Sequence, residues 1–317
     1  MKYIVLVMFS FSSLLIAQNK TKVQQLQVEG TQLVNNQHQS MVLRGMSFGW
    51  HTYWPQFYNS KVVNWLKEDW HCNVVRAALG VEQGENSYKT NPSYAKSKIE
   101  TVIKAAIKND LYVIVDWHSH NINLKEAKIF FQEISKKYGQ YPNVIYEIFN
   151  EPDTESWEEV KAYAEEVIAT IRKNDSDNII LVGSPSWDQD IHLPAKDPIK
   201  GYSNIMYTMH FYAATHKKWL RDRVDEALQN GLPVFVSESA GMEATGDGQI
   251  DYDSWQEYIE WMEMKKMSWI VWSISTKDET CSVLKPSASI YGKWKLEDLK
   301  DSGIKAREYI LKYAAKN

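Results

Sequence analysis

The stretch Val144-Ile145-Tyr146-Glu147-Ile148-Phe149-Asn150-Glu151-Pro152 combines a short apolar run with three polar or rigid residues. Residues 144–149 are rich in β-branched and aromatic side chains, which favours a buried strand. Pro152 ends that strand, because proline has no N–H group to donate to a neighbouring strand. Asn150 and Glu151 are therefore predicted at the carboxyl end of a strand, where α/β folds place ligands. Taken alone, the pattern also fits an ordinary polar loop.

A second apolar run delivers a carboxylate in the same way. Pro233-Val234-Phe235-Val236-Ser237-Glu238 is again a strand pattern that finishes on an acidic residue. Two carboxylates at two strand ends are typical of the acid/base and nucleophile pair that cleaves a glycosidic bond. This interpretation requires a fold that brings the two strand ends together.

Strand and helix patterns alternate along most of the chain. Strands are predicted at residues 42–47, 73–79, 112–116, 144–149, 178–182, 205–209, 233–238 and 269–274, and helices at residues 60–69, 93–109, 125–138, 160–171, 217–230, 254–266 and 296–315. Ser60 is the predicted cap of the first helix. A small hairpin, with arms at residues 23–28 and 39–43, is predicted before the first of these strands.

Eight strands alternating with helices predict an α/β protein with a single (β/α)8 TIM barrel, preceded by the short N-terminal hairpin. A doubly wound sheet shows similar alternation. No Gly-rich phosphate-binding turn follows the first strand, so nucleotide binding has little support.

Polar and aromatic residues lie at the predicted strand ends. They are Arg76, His118, Asn150, Glu151, His210, Tyr212, Glu238 and Trp272. In a barrel these positions meet on one face. Each alone has a simpler explanation, such as a core histidine for His210, a structural ion pair for Arg76 or packing for Trp272. Their conjunction carries more weight than any one of them.

This set resembles glycoside hydrolase family 5, a family of retaining barrels with catalytic carboxylates after the fourth and seventh strands. It is most similar to the bacterial endoglucanases of that family. The resemblance runs from Leu43-Arg44-Gly45-Met46-Ser47 to Trp272-Ser273-Ile274-Ser275, through the motifs Asn73-Val74-Val75-Arg76, Val115-Asp116-Trp117-His118, Ile148-Phe149-Asn150-Glu151-Pro152, His210-Phe211-Tyr212 and Val236-Ser237-Glu238.

The resemblance implies a role for each strand-end residue. Glu151 would be the acid/base and Glu238 the nucleophile, with Asn150 holding a sugar 2-hydroxyl. Arg76 and Tyr212 would contact Glu238, while His118, His210 and Trp272 would line the subsite of the attacked sugar. Elementary chemistry agrees, because a nearby arginine lowers a carboxylate pKa and burial keeps a partner protonated.

Two segments depart from the family pattern. Many relatives carry Trp-Gly where this chain has Ser239-Ala240, and many have His-Gly where it has Phe48-Gly49-Trp50-His51. Both departures are expected near the substrate, so they leave the fine specificity open. The candidates for flanking sugar subsites are Trp187, Trp54 and Tyr53, with Lys277 as a hydroxyl donor from the loop after the eighth strand.

The N-terminus and the composition bear on location. Residues 1–17 predict a cleaved signal peptide, which leaves residues 18–317 as the catalytic domain and implies a secreted protein, extracellular or periplasmic. An uncleaved anchor is the alternative. The net charge of −4 gives no basic footprint for nucleic acid. Cys72 and Cys281 are expected at opposite ends of the barrel, too far apart for a disulfide.

The expected function is that of a secreted, retaining endo-β-1,4-glucanase, a monomer that binds β-1,4-linked polysaccharide such as cellulose and needs no cofactor or metal. A β-mannanase or xylanase of the same family is an alternative. A metal-dependent hydrolase is a second alternative, supported only by the His118-x-His120 pair. A non-catalytic sugar-binding barrel is the third.

Overall fold

The computed structural model describes residues 22–314, so the predicted signal peptide lies outside the described part. The chain begins with an antiparallel hairpin of β1 (Gln27–Glu29) and β2 (Gln32–Val34). The prediction of residues 39–43 as its second arm is wrong. Gly30, at φ 58°, permits a tight turn that pairs residues 32–34 instead. Only Ser40 in the expected arm makes a bridge, to Val34.

Eight parallel strands form a closed barrel. They are β3 (Arg44–Phe48), β4 (Val74–Gly80), β5 (Tyr112–His118), β6 (Val144–Glu147), β7 (Ile180–Val182), β8 (Ile205–Tyr212), β9 (Val234–Ala240) and β10 (Trp269–Ile274). Each pairs with the next in sequence, and β10 pairs with β3 to close the sheet. The predicted single (β/α)8 barrel is confirmed.

Helices cover the outside of the barrel. They are α1 (Ser60–Glu68), α2 (Pro92–Lys108), α3 (Leu124–Tyr138), α4 (Trp157–Arg172), α5 (Pro185–Asp188), α6 (His192–Lys196), α7 (Lys218–Gln229), α8 (Tyr252–Lys265) and α9 (Asp301–Ala314). The short helices α5 and α6, both after β7, were not predicted from the sequence. Within residues 22–314, none of the helices has the length and apolar character to cross a membrane.

Most helices begin and end within three residues of the predicted bounds, and two helix predictions need a further correction. Asn59, not Ser60, caps α1, because its side chain accepts hydrogen bonds from the backbone N–H groups of Lys61 and Val62. The predicted helix over residues 296–315 is divided into a 3-10 turn and α9. Leu299 lies between them with extended backbone, at φ −95° and ψ 148°.

The apolar core has two layers. The larger layer fills the space between the strands and the surrounding helices. The smaller layer fills the barrel interior, where Leu26 and Leu33 of the hairpin segment pack with inward-facing residues such as Ile114 and Phe235. The hairpin therefore closes the amino-terminal end of the barrel. The opposite end, where the strands terminate, remains available for polar groups.

Cys72 and Cys281 are both buried and both carry free thiols. Cys72 precedes β4 and Cys281 follows β10, so they belong to opposite ends of the barrel. This agrees with the expectation that they do not pair.

Candidate active site

A cleft of about 650 Å³ lies at the carboxyl ends of the strands, and both Glu151 and Glu238 line it. Glu238 lies within β9, and Glu151 follows β6 by four residues. One carboxylate oxygen of each, together with one ring nitrogen of His210, lie within 4.8 Å of one another. The fold therefore brings together the two carboxylates that the sequence placed at separate strand ends.

Arg76 of β4 is completely buried beneath this pair and contacts the acidic groups around it. Its Nη1 lies 3.0 Å from Glu238 Oε2, and its Nε donates to Glu147 Oε2 at 2.7 Å. Its Nη2 donates to Asn150 Oδ1 at 2.6 Å. Burial by itself raises the pKa of Glu147, but Arg76 and His210 outweigh it and lower that pKa to about 2. The guanidinium group of Arg76 thus connects β4 to Glu147 of β6 and Glu238 of β9.

Glu238 has one contact on each carboxylate oxygen. Besides Arg76, the hydroxyl of Tyr212 donates to Oε1 at 2.8 Å. Burial and the negative charge of Glu151 raise the pKa of Glu238 above its ordinary value. Arg76 and Tyr212 act in the other direction, since both stabilise the ionised carboxylate. These two contacts also fix the orientation of the carboxylate.

The partner of Glu151 is His210, whose Nδ1 lies 2.8 Å from Glu151 Oε1. On the other side of the ring, Nε2 lies 2.9 Å from Ser237 Oγ and 3.3 Å from Asp188 Oδ2. Burial alone lowers the pKa of His210, but the surrounding carboxylates, Asp188 first, raise it well above its ordinary value. Burial likewise raises the pKa of Glu151, but the hydrogen bond with His210 more than offsets this and lowers it.

The lower pKa therefore belongs to Glu151 and the higher to Glu238. This order depends on the charge of His210. When the proton lies on Glu151 and His210 is neutral, Glu151 loses its stabilising cation, whereas Glu238 keeps Arg76 and Tyr212. Glu151 and His210 share one hydrogen bond across the 2.8 Å contact, whereas Glu238 has Arg76 and Tyr212 as its own partners.

Aromatic rings line the same cleft. Trp272 stacks on His118 with centroids 5.2 Å apart and an interplanar angle of 11°. Trp50 meets His118 edge-on at 4.6 Å. His118 Nδ1 lies 2.7 Å from Asp116 Oδ2, and burial lowers the pKa of His118 well below its ordinary value. Tyr53 is half exposed at the rim. Trp50 was missed from the sequence, although it belongs to the aromatic loop that supplied Tyr53 and Trp54.

A second cavity of about 450 Å³ adjoins the cleft and shares Glu151 and Tyr212 with it. Trp187 lines this second cavity with 48% of its surface exposed. The backbone N–H of Trp187 donates to Pro152 O at 2.9 Å, and this hydrogen bond holds Trp187 near Glu151. The two cavities meet at Glu151 and Tyr212, and together they are called the groove below.

The remaining sequence candidates divide into two groups. Lys277 and Trp54 line the cleft, and Lys277 forms an ion pair with Glu279. His51 does not line it: its Nδ1 accepts from Gly80 N at 3.0 Å and its Nε2 bonds Asn86 O. Its pKa is lowered to about 4 by burial, so this ring is neutral and structural.

The departure at Ser239-Ala240 is also structural rather than substrate-facing. Both residues lie buried within β9, and Ser239 Oγ donates to Ile270 O at 2.8 Å. Neither lines the cleft or the adjoining cavity. The Ser239 side chain therefore serves a contact between β9 and β10, and the expectation about fine specificity stays a prediction.

Two sets of side chains offer donor atoms that could bind a metal ion. Glu151, His210 and Glu238 have the donor types and the proximity for an ion, but each of them already has a protein partner. The His118 and His120 rings lie 6.2 Å apart, and His118 Nδ1 is bonded to Asp116. His120 Nδ1 lies 3.7 Å from Glu151 Oε2. Each ring of the histidine pair thus lies next to a carboxylate, His118 next to Asp116 and His120 next to Glu151.

A larger cavity of about 740 Å³ lies away from these groups, between the loops that follow β9 and β10 and the start of α9. Its lining includes Asp247, Thr280 and Lys300, and none of the strand-end residues. The candidate active site is therefore identified by its convergent polar groups and not by the volume of its cavity.

Comparison with known proteins agrees with this geometry. Residues 34–278 match the family described as cellulase (glycosyl hydrolase family 5). Endoglucanase A of Evansella cellulosilytica is 43% identical over 281 residues, which cover 86% of this chain and 57% of that protein. The chain spans about three fifths of the length of the curated relatives it matches.

Solved structures extend the comparison to the fold. One from Cytophaga hutchinsonii is 42% identical with a TM-score of 0.90, over 92% of this chain and 96% of that one. The catalytic domain of Thermobifida fusca endoglucanase Cel5A, in complex with cellotetraose, is 34% identical with a TM-score of 0.85, over 90% and 97% of the two chains. Sequence, fold and strand-end residues agree: the chain belongs to glycosyl hydrolase family 5.

Proposed function

We propose that the protein is a secreted, retaining endo-β-1,4-glucanase in which Glu238 is the nucleophile and Glu151 the acid/base. The observation that carries the proposal is that one oxygen of the Glu151 carboxylate and one oxygen of the Glu238 carboxylate lie within 4.8 Å of each other. Retaining glycosidases hold their carboxyl groups about 5–5.5 Å apart, whereas inverting enzymes need about 6.5–9.5 Å to admit a water.

In the first step, a Glu238 oxygen attacks the anomeric carbon while the bond to the leaving-group oxygen breaks. Glu151 transfers its proton to that oxygen, so the leaving sugar departs neutral. In the second step, Glu151 takes a proton from water, and the water oxygen displaces Glu238 from the same carbon. Configuration is retained because the carbon is inverted twice.

The surrounding residues support these two roles. Arg76 and Tyr212 hold Glu238 ionised and aimed, and each occupies a different oxygen. The proton that Glu151 delivers lies on the Glu151–His210 pair. Asn150 is fully buried, and its Nδ2 has no hydrogen-bond partner within residues 22–314. A sugar hydroxyl would satisfy that donor, as the family pattern implies.

The substrate proposal rests on the shape of the groove and on the relatives. An open groove lined by Trp50, Trp272 and Trp187 accepts a chain at internal positions. Flat aromatic rings cover the apolar C–H faces of pyranose sugars. The matched relatives are named endoglucanases, and one solved relative holds cellotetraose. We therefore favour cellulose and related β-1,4-glucans over mannan or xylan, with an exported monomer whose residues 1–17 are removed.

The test is reducing-sugar release from carboxymethyl-cellulose by the wild type, Glu238→Gln and Glu151→Gln. We expect each substitution to reduce kcat by at least about a thousandfold, because the pair acts as a unit. Glu260→Gln, on the exposed face of α8, is the matched control and should retain full activity. An active wild type with an equally active Glu238→Gln variant would overturn the nucleophile assignment.

The retaining mechanism has its own test. A 2-deoxy-2-fluoro-cellobioside with a good leaving group should trap the glycosyl-enzyme, and peptide mass spectrometry should locate the sugar on Glu238. If the wild type cleaves mannan or xylan but not glucan, the mechanism stands and the substrate is wrong. If no β-glycan is cleaved, a sugar-binding barrel becomes the better interpretation.

A further inference from the structure

The groove divides unequally around the two carboxylates. Glu238 lines only the cleft of about 650 Å³, whereas Glu151 lines both this cleft and the adjoining cavity of about 450 Å³. Under the proposed function, the nucleophile faces the attacked sugar and the acid faces the leaving-group oxygen. The cleft of about 650 Å³ therefore holds the part of the polysaccharide that contains the attacked sugar. The smaller cavity of about 450 Å³ holds the leaving-group part. Of the three aromatic residues that the sequence offered for flanking subsites, only Trp187 lines this smaller cavity.

Trp219 is a second exposed ring on the leaving-group side. It follows Lys218, the first residue of α7, lines the smaller cavity and has 43% of its surface exposed. The guanidinium of Arg223, one helical turn later, lies 5.2 Å from the Trp219 ring centroid and covers one face. An exposed tryptophan that is braced on one side is a preformed surface rather than a mobile side chain.

Arg223 also connects this ring to the loop that carries Trp187. Its Nη1 donates to Gln189 O at 2.9 Å and to Asp190 Oδ1 at 2.6 Å. Asp190 in turn accepts from Ser186 Oγ at 2.7 Å. One arginine thus holds both aromatic walls of the smaller cavity in a fixed relation, which reduces the entropy lost when a ligand binds.

His216 supplies a polar group beside the same ring. It meets Trp219 edge-on, with centroids 5.9 Å apart and an angle of 77°. Its Nδ1 accepts the backbone N–H of Tyr212 at 2.8 Å, so the neutral ring carries its proton on Nε2. Burial lowers its pKa to about 4, which keeps the ring neutral. Within residues 22–314, this Nε2–H forms no hydrogen bond.

We propose that Trp219, braced by Arg223 and flanked by His216, is a sugar-binding platform on the leaving-group side of the groove. The ligand is a β-1,4-linked glucosyl unit, with its C–H face on the exposed indole and a hydroxyl accepting from His216 Nε2. The platform sets how strongly the protein prefers long chains over short ones. This inference rests on the proposed glucanase function.

The test compares two substrates within each variant. Cellohexaose extends past the scissile bond by several sugars, whereas an aryl β-cellotrioside extends by a single ring. For Trp219→Ala, we expect the ratio of kcat/KM on cellohexaose to kcat/KM on the aryl glycoside to fall about tenfold. Trp219→Phe keeps an aromatic face and should recover most of the ratio. Because it is a ratio, the fraction of folded enzyme cancels.

The control is Tyr291→Ala, which removes a ring of similar exposure, 52%, that lines neither cavity. Its substrate ratio should equal that of the wild type. If Trp219→Ala leaves the ratio unchanged, or lowers both substrates equally, the platform is wrong while the glucanase proposal stands. A wild type that cleaves neither substrate would overturn the proposed function and this inference with it.

Discussion

Under the proposed mechanism, the proton that Glu151 delivers is shared with His210, and we infer that Asp188 sets how firmly it is held. Asp188 is fully buried, accepts from Ser184 N at 2.6 Å and lies 3.3 Å from His210 Nε2. Burial raises the pKa of Asp188 well above its ordinary value, and the adjacent His210 acts in the other direction. The ionised carboxylate stabilises the charged imidazole, because little water screens the attraction between them. Asp188 therefore acts through His210 and is a positioning residue.

Asp188→Asn should move the alkaline limb of the kcat/KM profile to lower pH. Activity is lost at high pH when the proton shared by His210 and Glu151 dissociates. The neighbouring carboxylates raise the pKa of His210 well above 6.5, so removing one of them lowers the pH at which that proton is lost. The backbone at φ 62° suits asparagine as well as aspartate. The profile measured on a soluble glucan is the readout.

The matched control is Asp197→Asn, since Asp197 is exposed and pairs with Lys161 away from the groove. Its profile should overlay that of the wild type. An unchanged alkaline limb in Asp188→Asn would show that His210 takes its charge from other neighbours. The acid limb should stay in place in both variants, because it reports Glu238, whose pKa burial raises above 4.5.

At this scale, the sequence predicted the residues that end strands and missed those whose position depends on loop conformation. Glu151 and Glu238 follow apolar runs, so their place at the barrel mouth follows from topology alone. Asp188 reaches the site through three successive residues with positive φ, Ser186 to Asp188, which no pattern of polar residues reveals. Trp219 was hidden within a helix pattern, where an aromatic residue is ordinarily interpreted as core.

Among the elements, the pairing of β3 with β10, called the seam below, closes the barrel. The ion pair between Arg44 and Glu263 stabilises this seam. Arg44 of β3 bonds both oxygens of Glu263 in α8, at 2.6 and 2.8 Å. Trp269 of β10 donates its ring N–H to the same carboxylate at 2.9 Å. Three elements distant in sequence therefore share one largely buried anion, far from the groove.

Glu263→Ala should lower the free energy of unfolding by about 3 kcal/mol, because it leaves the buried Arg44 charge and the Trp269 N–H without this partner. Activity per folded molecule should not change, since these groups lie at the amino-terminal end of the barrel. Urea denaturation followed by tryptophan fluorescence measures the change. Lys104→Ala, which breaks an exposed pair with Glu100 on α2, should cost about 0.5 kcal/mol or less.

If Glu263→Ala lowers the free energy of unfolding by no more than Lys104→Ala does, the seam is held by strand pairing alone.

The elements themselves were largely predictable, since all eight strands were located and the bounds of β10 coincide with the prediction. The hairpin was not, because its register depends on which of two turn signals, Gly30 or Asn35-Asn36, forms the tight turn. The short helices α5 and α6 have no room for a periodic pattern.

For the whole molecule, the barrel separates stability from chemistry along its axis. The hairpin and the inner apolar layer close one end, and the charged cluster around Arg76 occupies the other. Buried charges at the open end destabilise unless they are paired, so the fold has to supply its stability elsewhere. One cysteine lies at each end of the barrel: Cys72 precedes β4, and Cys281 lines the groove.

The thiols should therefore report two different opening events. Burial raises the pKa of both Cys72 and Cys281 above the ordinary range, so neither thiol reacts readily in the native protein. We expect Cys72 to react with a thiol reagent only on global unfolding, and Cys281 earlier, through local opening of its loop. Cellotriose should slow labelling of Cys281 and leave Cys72 unchanged. Equal rates at both sites, or a melting temperature lowered by reductant, would contradict this picture.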